Sequence, residues 1–282
     1  MIDLRISSIL GDGDMSVFRL IETLKENPLK YFSIVDLNHA LAYRIIEKEG
    51  LDNLITGASF KVSYKDEIIH ILGYDIDTEA LNVLYEEKFP IEVIEKGERA
   101  ISNFLIKVFQ EDGYTIDDSD FRFDKIGVAI EQVYAAVMYM NPQFEYRTLR
   151  DFKNHGINNQ SSKYYYNTVE TCFSVNEAVA LIHSLNGKAF LACPFEYRRD
   201  VAGLLEMVIE HNLDGVEVFH ASSSQVNSMK LIEFCIMNKK LASIGSGFKG
   251  SDQLIPWGVY VDEQILELKC FDWIMKRGEK ND

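Results

Sequence analysis

The chain is short of positive charge: 29 Lys and Arg stand against 44 Asp and Glu in 282 residues, a formal net charge of -15. Binding nucleic acid means neutralising phosphates with a local surplus of Lys and Arg, and no run of them occurs, so nucleic acid is not an expected partner. Long apolar stretches are missing too. None approaches the roughly 20 residues that cross a bilayer, and the N-terminus alternates charged with apolar residues where a secretory signal would set a basic start before an apolar stretch. The expectation is a cytoplasmic protein with no membrane attachment. Cysteine is sparse and scattered, at Cys172, Cys193, Cys235 and Cys270. That spacing points to neither a zinc ribbon nor a disulfide framework, and predicts reduced thiols in the core. No Gly-Lys-Ser/Thr loop is present to cradle a nucleoside triphosphate.

What is present is enough apolar material for a large core, 47% of the residues, in a chain of barrel size. Ile2, Leu4 and Ile6 alternate with Asp3, Arg5 and Ser7, as in a strand with one face in a core, and Gly11-Asp12-Gly13 breaks it. Ser16 is placed to cap a helix carrying Val17, Leu20, Ile21 and Leu24, which Asn27-Pro28 ends. Residues 31–36 read as a buried strand and 41–49 as a helix. From about 86 to 166 the pattern turns helical, with amphipathic stretches at 95–111 and 126–140 separated by acidic and polar loops. The last third alternates again. A capping-box pattern from Ser174 to Glu177 opens a helix, strands at 188–193, 215–220 and 241–246 alternate with helices at 199–211 and 225–238, and 262–276 closes the chain as a helix. Strands so spaced imply parallel pairing with right-handed crossovers, as in a barrel.

Several of these stretches carry a common resemblance. Val35-Asp36-Leu37-Asn38, Thr56-Gly57-Ala58-Ser59, His70-Ile71-Leu72-Gly73-Tyr74, Ala192-Cys193-Pro194, Asp214-Gly215-Val216-Glu217-Val218 and Gly245-Ser246-Gly247-Phe248-Lys249-Gly250 resemble, in order, signatures of the PHP (polymerase and histidinol phosphatase) family of metal-dependent phosphoesterases. The resemblance is the main ground for placing strands at 54–64 and 67–74, and it implies an α/β fold, an irregular TIM-like barrel of the (β/α)7 type. It makes residues 1–282 one barrel domain with a helical insertion at about 86–166. It also implies a two- or three-metal site at the C-terminal ends of the strands. Matching ligands survive there only at Asp12 and His70, while the other ligand positions read Arg5, Ser7, Leu37, Ser59, Ala129, Cys193, Gly247 and Lys249.

With so few ligands left, the expected function is that of a catalytically inactive relative, a pseudoenzyme serving as a binding or regulatory module for an anionic small molecule or a protein partner, without a cofactor. The alternative is a phosphoesterase with a reduced site of Asp12, His70 and Cys193 around a divalent transition metal such as Zn, Mn or Fe. Arg5 and Lys249 would supply the cations of an anion or nucleotide pocket lined by Ser7, Asp36, Ser59 and His220. Equally, Arg5 would form a structural ion pair with Asp12. Cys193 and Arg199 have the spacing of a cysteine phosphatase loop, but Pro194-Phe195-Glu196-Tyr197 between them supplies neither the small residues nor the acid-free surroundings that a thiolate nucleophile needs. His220 beside Ser222, Ser223 and Ser224 reads as a general base or as a hydrogen-bonded structural histidine.

Overall fold

In the computed structural model, which describes residues 1–65, 67–159, 161–167, 172–250 and 255–277, the strand β1 (Asp3–Ile6) is followed by helix α1 (Val17–Glu26) and by β2 (Phe32–Ile34), parallel to β1. Helix α1 starts where Ser16 Oγ accepts from the Arg19 amide, and it buries Val17, Leu20, Ile21 and Leu24. Strand β1 departs from the expected half-buried pattern, because Asp3 is enclosed as completely as Leu4. The Asp3 carboxylate accepts from the Ser246 amide and hydroxyl and from the amides of Arg5 and Gly258, which offsets the loss of water around it.

The helix expected over 41–49 is shorter. It consists of α2 (Tyr43–Ile46) and a 3-10 turn, Glu47–Glu49, stopped by Gly50 at a left-handed φ of 62°. The buried Tyr43 hydroxyl lies 2.9 Å from the Ile34 carbonyl and 3.0 Å from the Ile55 carbonyl, and its one proton serves either of them. Then follow β3 (Gly57–Tyr64), β4 (Glu67–Tyr74) and helix α3 (Thr78–Lys88).

The chain forms two compact units, Met1–Leu84 with Cys172–Asp282, and Tyr85–Thr171. The second unit holds α4 (Ile91–Glu111), α5 (Val128–Met140) and α6 (Leu149–Asp151), which runs into a π-helical turn at Phe152–Ile157. Its core is aromatic. Phe109, Phe144, Phe152 and Tyr164 are fully buried, and the rings of Phe109 and Tyr164 lie 4.7 Å apart. The buried Glu98 accepts from the amides of Gly127 and Ala129 at 2.7 and 2.8 Å, satisfying two donors that the start of α5 leaves open.

In the first unit β5 (Phe173–Ser174), α7 (Val175–Ser184), β6 (Lys188–Leu191), α8 (Val201–Glu210), β7 (Gly215–Phe219), α9 (Gln225–Met237) and β8 (Leu241–Ile244) succeed one another. The capping box forms at α7: Ser174 Oγ accepts from the Glu177 amide, and the Glu177 carboxylate accepts from the Ser174 amide. The main sheet has the order β5-β3-β4-β6-β7-β8, with β6, β7 and β8 parallel and β4 antiparallel to both neighbours. Strands β1 and β2 form their own ladder, linked to the rest by single bridges from Leu37 to Ser59 and from Ile6 to Phe248. The architecture is thus a mixed α/β sheet of TIM-like character, in two ladders joined by bridges.

The terminal helix expected over 262–276 is broken into α10 (Glu263–Leu266), a 3-10 turn and α11 (Asp272–Met275). Burial of Phe271 and Ile274, with the Trp273 indole donating to the Ala242 carbonyl, bends this segment onto the sheet. Among the described residues no helix is long and apolar enough to cross a membrane.

Candidate functional site

The segment after β1 is drawn in by two serines. The Ser7 amide donates to the Phe248 carbonyl at 2.8 Å, and the Ser8 amide and hydroxyl both donate to the Asp36 carboxylate, at 2.7 and 2.6 Å. Asp36 is therefore a buried clamp on this loop. Glycine is required on either side of Asp12 by close approach: a Cβ on Gly11 would stand 2.7 Å from Asp36 Oδ1, and one on Gly13 2.4 Å from the Ser7 carbonyl oxygen.

Asp12, between them, is ion-paired with Lys249 and accepts from the Ser7 hydroxyl. Burial works against its ionisation, but Lys249 and these hydrogen bonds outweigh burial and hold the carboxyl below its ordinary range. His70, half-buried on β4, has Nδ1 3.0 Å from Ser59 Oγ on β3, and its amide donates to the Tyr197 hydroxyl. Burial first, then the nearby Arg5, Lys249 and Lys61, press its pKa down to about 3 against the pull of Asp12, so the ring is neutral at pH 7.

Arg5 does not pair with Asp12 as expected. Its guanidinium reaches Glu217 on β7, with Nη1 2.8 Å from Oε2, and the Cys193 amide donates to that same oxygen at 3.0 Å. The other carboxylate oxygen, Oε1, is buried with no hydrogen-bond partner. Burial outweighs even the paired guanidinium and raises the Glu217 carboxyl to about 7. Glu217 went unassigned in the sequence reading. Its signal was there, a lone acid inside Gly215-Val216-Glu217-Val218-Phe219, since a buried apolar strand admits a carboxylate only with a partner.

Cys193 follows β6 in the left-handed region, at φ 37°, and is buried. Burial, with Glu217 and Glu196 nearby, pushes its thiol up, the opposite of an activated nucleophile. His220 lies just past the end of β7, buried, with Nδ1 2.8 Å from Ser222 Oγ, which donates to Glu196 Oε1 at 2.8 Å. One donor atom each of Cys193, Glu217 and His220 lie within 4.8 Å of one another, and this is the group of three potential metal ligands found among the described residues. Asp12, His70 and Cys193 are not gathered into such a group. Residues 245–250 have Gly-x-Gly-x-x-Gly spacing, yet here the glycines serve close packing: a Cβ on Gly245 would lie 2.6 Å from Glu217 Oε1, and one on Gly247 2.6 Å from His220 Nε2.

No protein-family model matches the sequence, and no curated protein matches it. Solved structures do. An amidohydrolase from Chromobacterium violaceum, with bound sulfate and no metal, superposes with a TM-score of 0.74 at 18% identity, over 93% of this chain and 92% of that one. A protein of Bifidobacterium adolescentis assigned as a metal-dependent phosphoesterase gives a TM-score of 0.69 at 21% identity, over 94% and 95%. The chain shares its fold with these two proteins. A two-domain protein of Bacteroides vulgatus containing a PHP-like phosphoesterase region aligns at a TM-score of 0.44 and 10% identity, over 88% of this chain and 51% of that one.

The resemblance in the sequence implies strand ends lined by ligands for several ions. The residues here do not fit such a cluster. Asp12 is committed to Lys249, Nδ1 of His70 meets Ser59, and the cations of Arg5, Lys249 and Lys61 bear on the imidazole that a metal would need. Of the pocket residues expected from the sequence, Ser7, Asp12 and Lys249 are joined by contact and Ser59 contacts His70, while Asp12, Lys249 and Arg5 act on His70 through charge alone; Arg5 itself is paired with Glu217, Asp36 serves the loop, and His220 belongs with Cys193 and Glu217.

Proposed function

We propose that the protein is a non-catalytic member of this fold that binds a small oxyanion of the phosphate-ester class beside Lys249, Arg5 and His70. The observation that carries the reading is the gathering of Arg5, Lys61 and Lys249 about one neutral imidazole, opposed there by Asp12, in a chain whose net charge is -15. A guanidinium fork and an ammonium can hold phosphate oxygens by charge-assisted hydrogen bonds with no ion between them. The Chromobacterium violaceum protein carries sulfate without metal, which supports a metal-free oxyanion pocket on the same scaffold. The protein then acts as a cytoplasmic binding or regulatory module. A phosphoesterase built on Asp12, His70 and Cys193 has less support, since Asp12 is paired with Lys249 and Cys193 lies with Glu217 and His220.

Titration calorimetry with inorganic phosphate and adenosine monophosphate tests this, with p-nitrophenyl phosphate hydrolysis followed in parallel, with and without Mn2+ or Zn2+. The expected result is saturable binding at millimolar ligand or below, about tenfold weaker in Lys249→Ala, and no hydrolysis above the blank. No saturable binding, or hydrolysis that Asp12→Ala abolishes, overturns the reading.

A further inference from the structure

We propose that Cys193, Glu217 and His220 form a site for one thiophilic divalent cation of the Zn2+ class, separate from Asp12 and His70. The three side chains arrive from different places in the fold: Cys193 from the turn after β6, Glu217 from within β7, and His220 from the turn just past β7. All three are buried, and their donor atoms lie within 4.8 Å of one another. A tetrahedral ion with bonds of roughly 2.0–2.3 Å needs its ligand atoms roughly 3.4–3.7 Å apart, so a contraction of about an ångström closes the set.

Two further features point to an ion here. The first is Glu217 Oε1, a buried carboxylate oxygen with no hydrogen-bond partner, which a folded protein leaves unsatisfied only at a cost in stability. Arg5 and the Cys193 amide occupy only Oε2, so an ion on Oε1 displaces neither. The second is the backbone opposite. Gly245 and Gly247 face Glu217 Oε1 and His220 Nε2, and a Cβ at either position would fall 2.6 Å from those donors. Gly245 also packs against Arg5 Cβ, and Gly247 has a φ of 76°, but both keep side chains away from the two donor atoms.

His220 is held by the segment that follows it. Ser222 Oγ lies 2.8 Å from Nδ1 and donates to the Glu196 carboxylate at 2.8 Å, and the Ser222 amide donates to Nδ1 at 3.3 Å, so the ring is oriented through Nδ1 while Nε2 lies on the side of Gly247. Support of a ligand histidine through its other nitrogen is the usual outer support of a metal site. Binding releases to solvent the Cys193 thiol proton and whatever proton Glu217 carries, in exchange for sulfur–metal and oxygen–metal bonds, and the two anionic ligands with Arg5 leave the loaded site with one net positive charge. The thiolate favours Zn2+ over Mg2+ or Mn2+, and three protein donors leave a fourth position open.

The test uses the full chain without a polyhistidine tag, stripped with a chelator and titrated with Zn2+ and with Co2+. The expected result is one ion per chain and, for Co2+, a sulfur-to-cobalt charge-transfer band that Cys193→Ser abolishes. Binding should weaken at least about tenfold in His220→Gln, and about tenfold in Ser222→Ala through the positioning of His220. Asp12→Asn and His70→Gln should keep both stoichiometry and band. Circular dichroism checks the fold of each variant, and X-ray absorption of the unmodified Zn2+ form, with one sulfur in the ligand shell, needs no variant at all. Absence of stoichiometric uptake, a shell without sulfur, or a band that survives Cys193→Ser would refute the proposal. Loss of the ion in Asp12→Asn with Cys193→Ser unaffected would also refute it and would count against the metal-free oxyanion pocket, whereas failure to bind phosphate leaves it standing.

Discussion

Two carboxylate–cation pairs, one between loops and one between strands β1 and β7, behave in opposite ways. Asp12 and Lys249 keep 30% and 38% of their side chains exposed, and Asp12 is held ionised. Glu217 and Arg5 keep 0% and 17%, and the Glu217 carboxyl rises to about 7 although its guanidinium partner is in contact. The partner's charge is the same in both pairs, so the access of water decides the sign. The Asp12–Lys249 pair can open to a ligand at small cost, while the Glu217 carboxylate is locked in the core with an oxygen unsatisfied and engages Arg5 through Nη1 alone.

The largest test of this contrast is stability. Glu217→Ala leaves Arg5 buried without its acid and should cost about 3–5 kcal/mol in urea denaturation, whereas Lys249→Ala should cost about 1 kcal/mol or less. Equal losses would break the comparison. The pH dependence, measured in chelator, should sharpen it. Glu217 binds its proton more tightly in the folded chain, so its share of stability falls as pH rises from about 4.5 to about 7. His70 binds its proton less tightly when folded, so its share rises between about 3 and 6.5. In the overlap Glu217→Gln should tilt the stability curve upward with pH and His70→Asn downward, each by at most about 1.4 kcal/mol per pH unit. Tilts of the same sign would mean that burial does not govern Glu217. The smallest effect is in thiol chemistry. Cys172 is partly exposed and Cys193 is buried beside Glu217. A disulfide reagent should modify Cys172 well before Cys193, and equal rates would show that the Glu217 side of the site is open to solvent.

Much of the fold was legible because its cues are local. Helix α1 starts behind Ser16 and buries the four apolar residues its spacing predicts, and Ser174 and Glu177 close the capping box within four residues of chain. The terminal segment was misread because Phe271, Trp273 and Ile274 obey the sheet beneath them more than their own helical spacing. In the site, Asp12 and His70 could be picked out by the motifs around them. Their partners could not. Arg5 meets Glu217 across 212 residues and Lys249 meets Asp12 across 237, and no periodicity links positions so distant. Asp12 looked free for Arg5 only because the sequence does not say which cation arrives first.

The aromatic core of the unit Tyr85–Thr171 also divides the molecule optically. The chain has 2 tryptophans, Trp257 and Trp273, and both belong to the other unit, where Trp273 lies 4.9 Å from the ring of Phe190. Indole emission therefore watches one unit alone, while near-ultraviolet dichroism sums the rings of Phe109, Phe144, Phe152 and Tyr164 with Tyr74, Phe190 and Trp273 of the first unit. In a single thermal ramp, a dichroism transition that the indole emission does not share belongs to the unit without tryptophan.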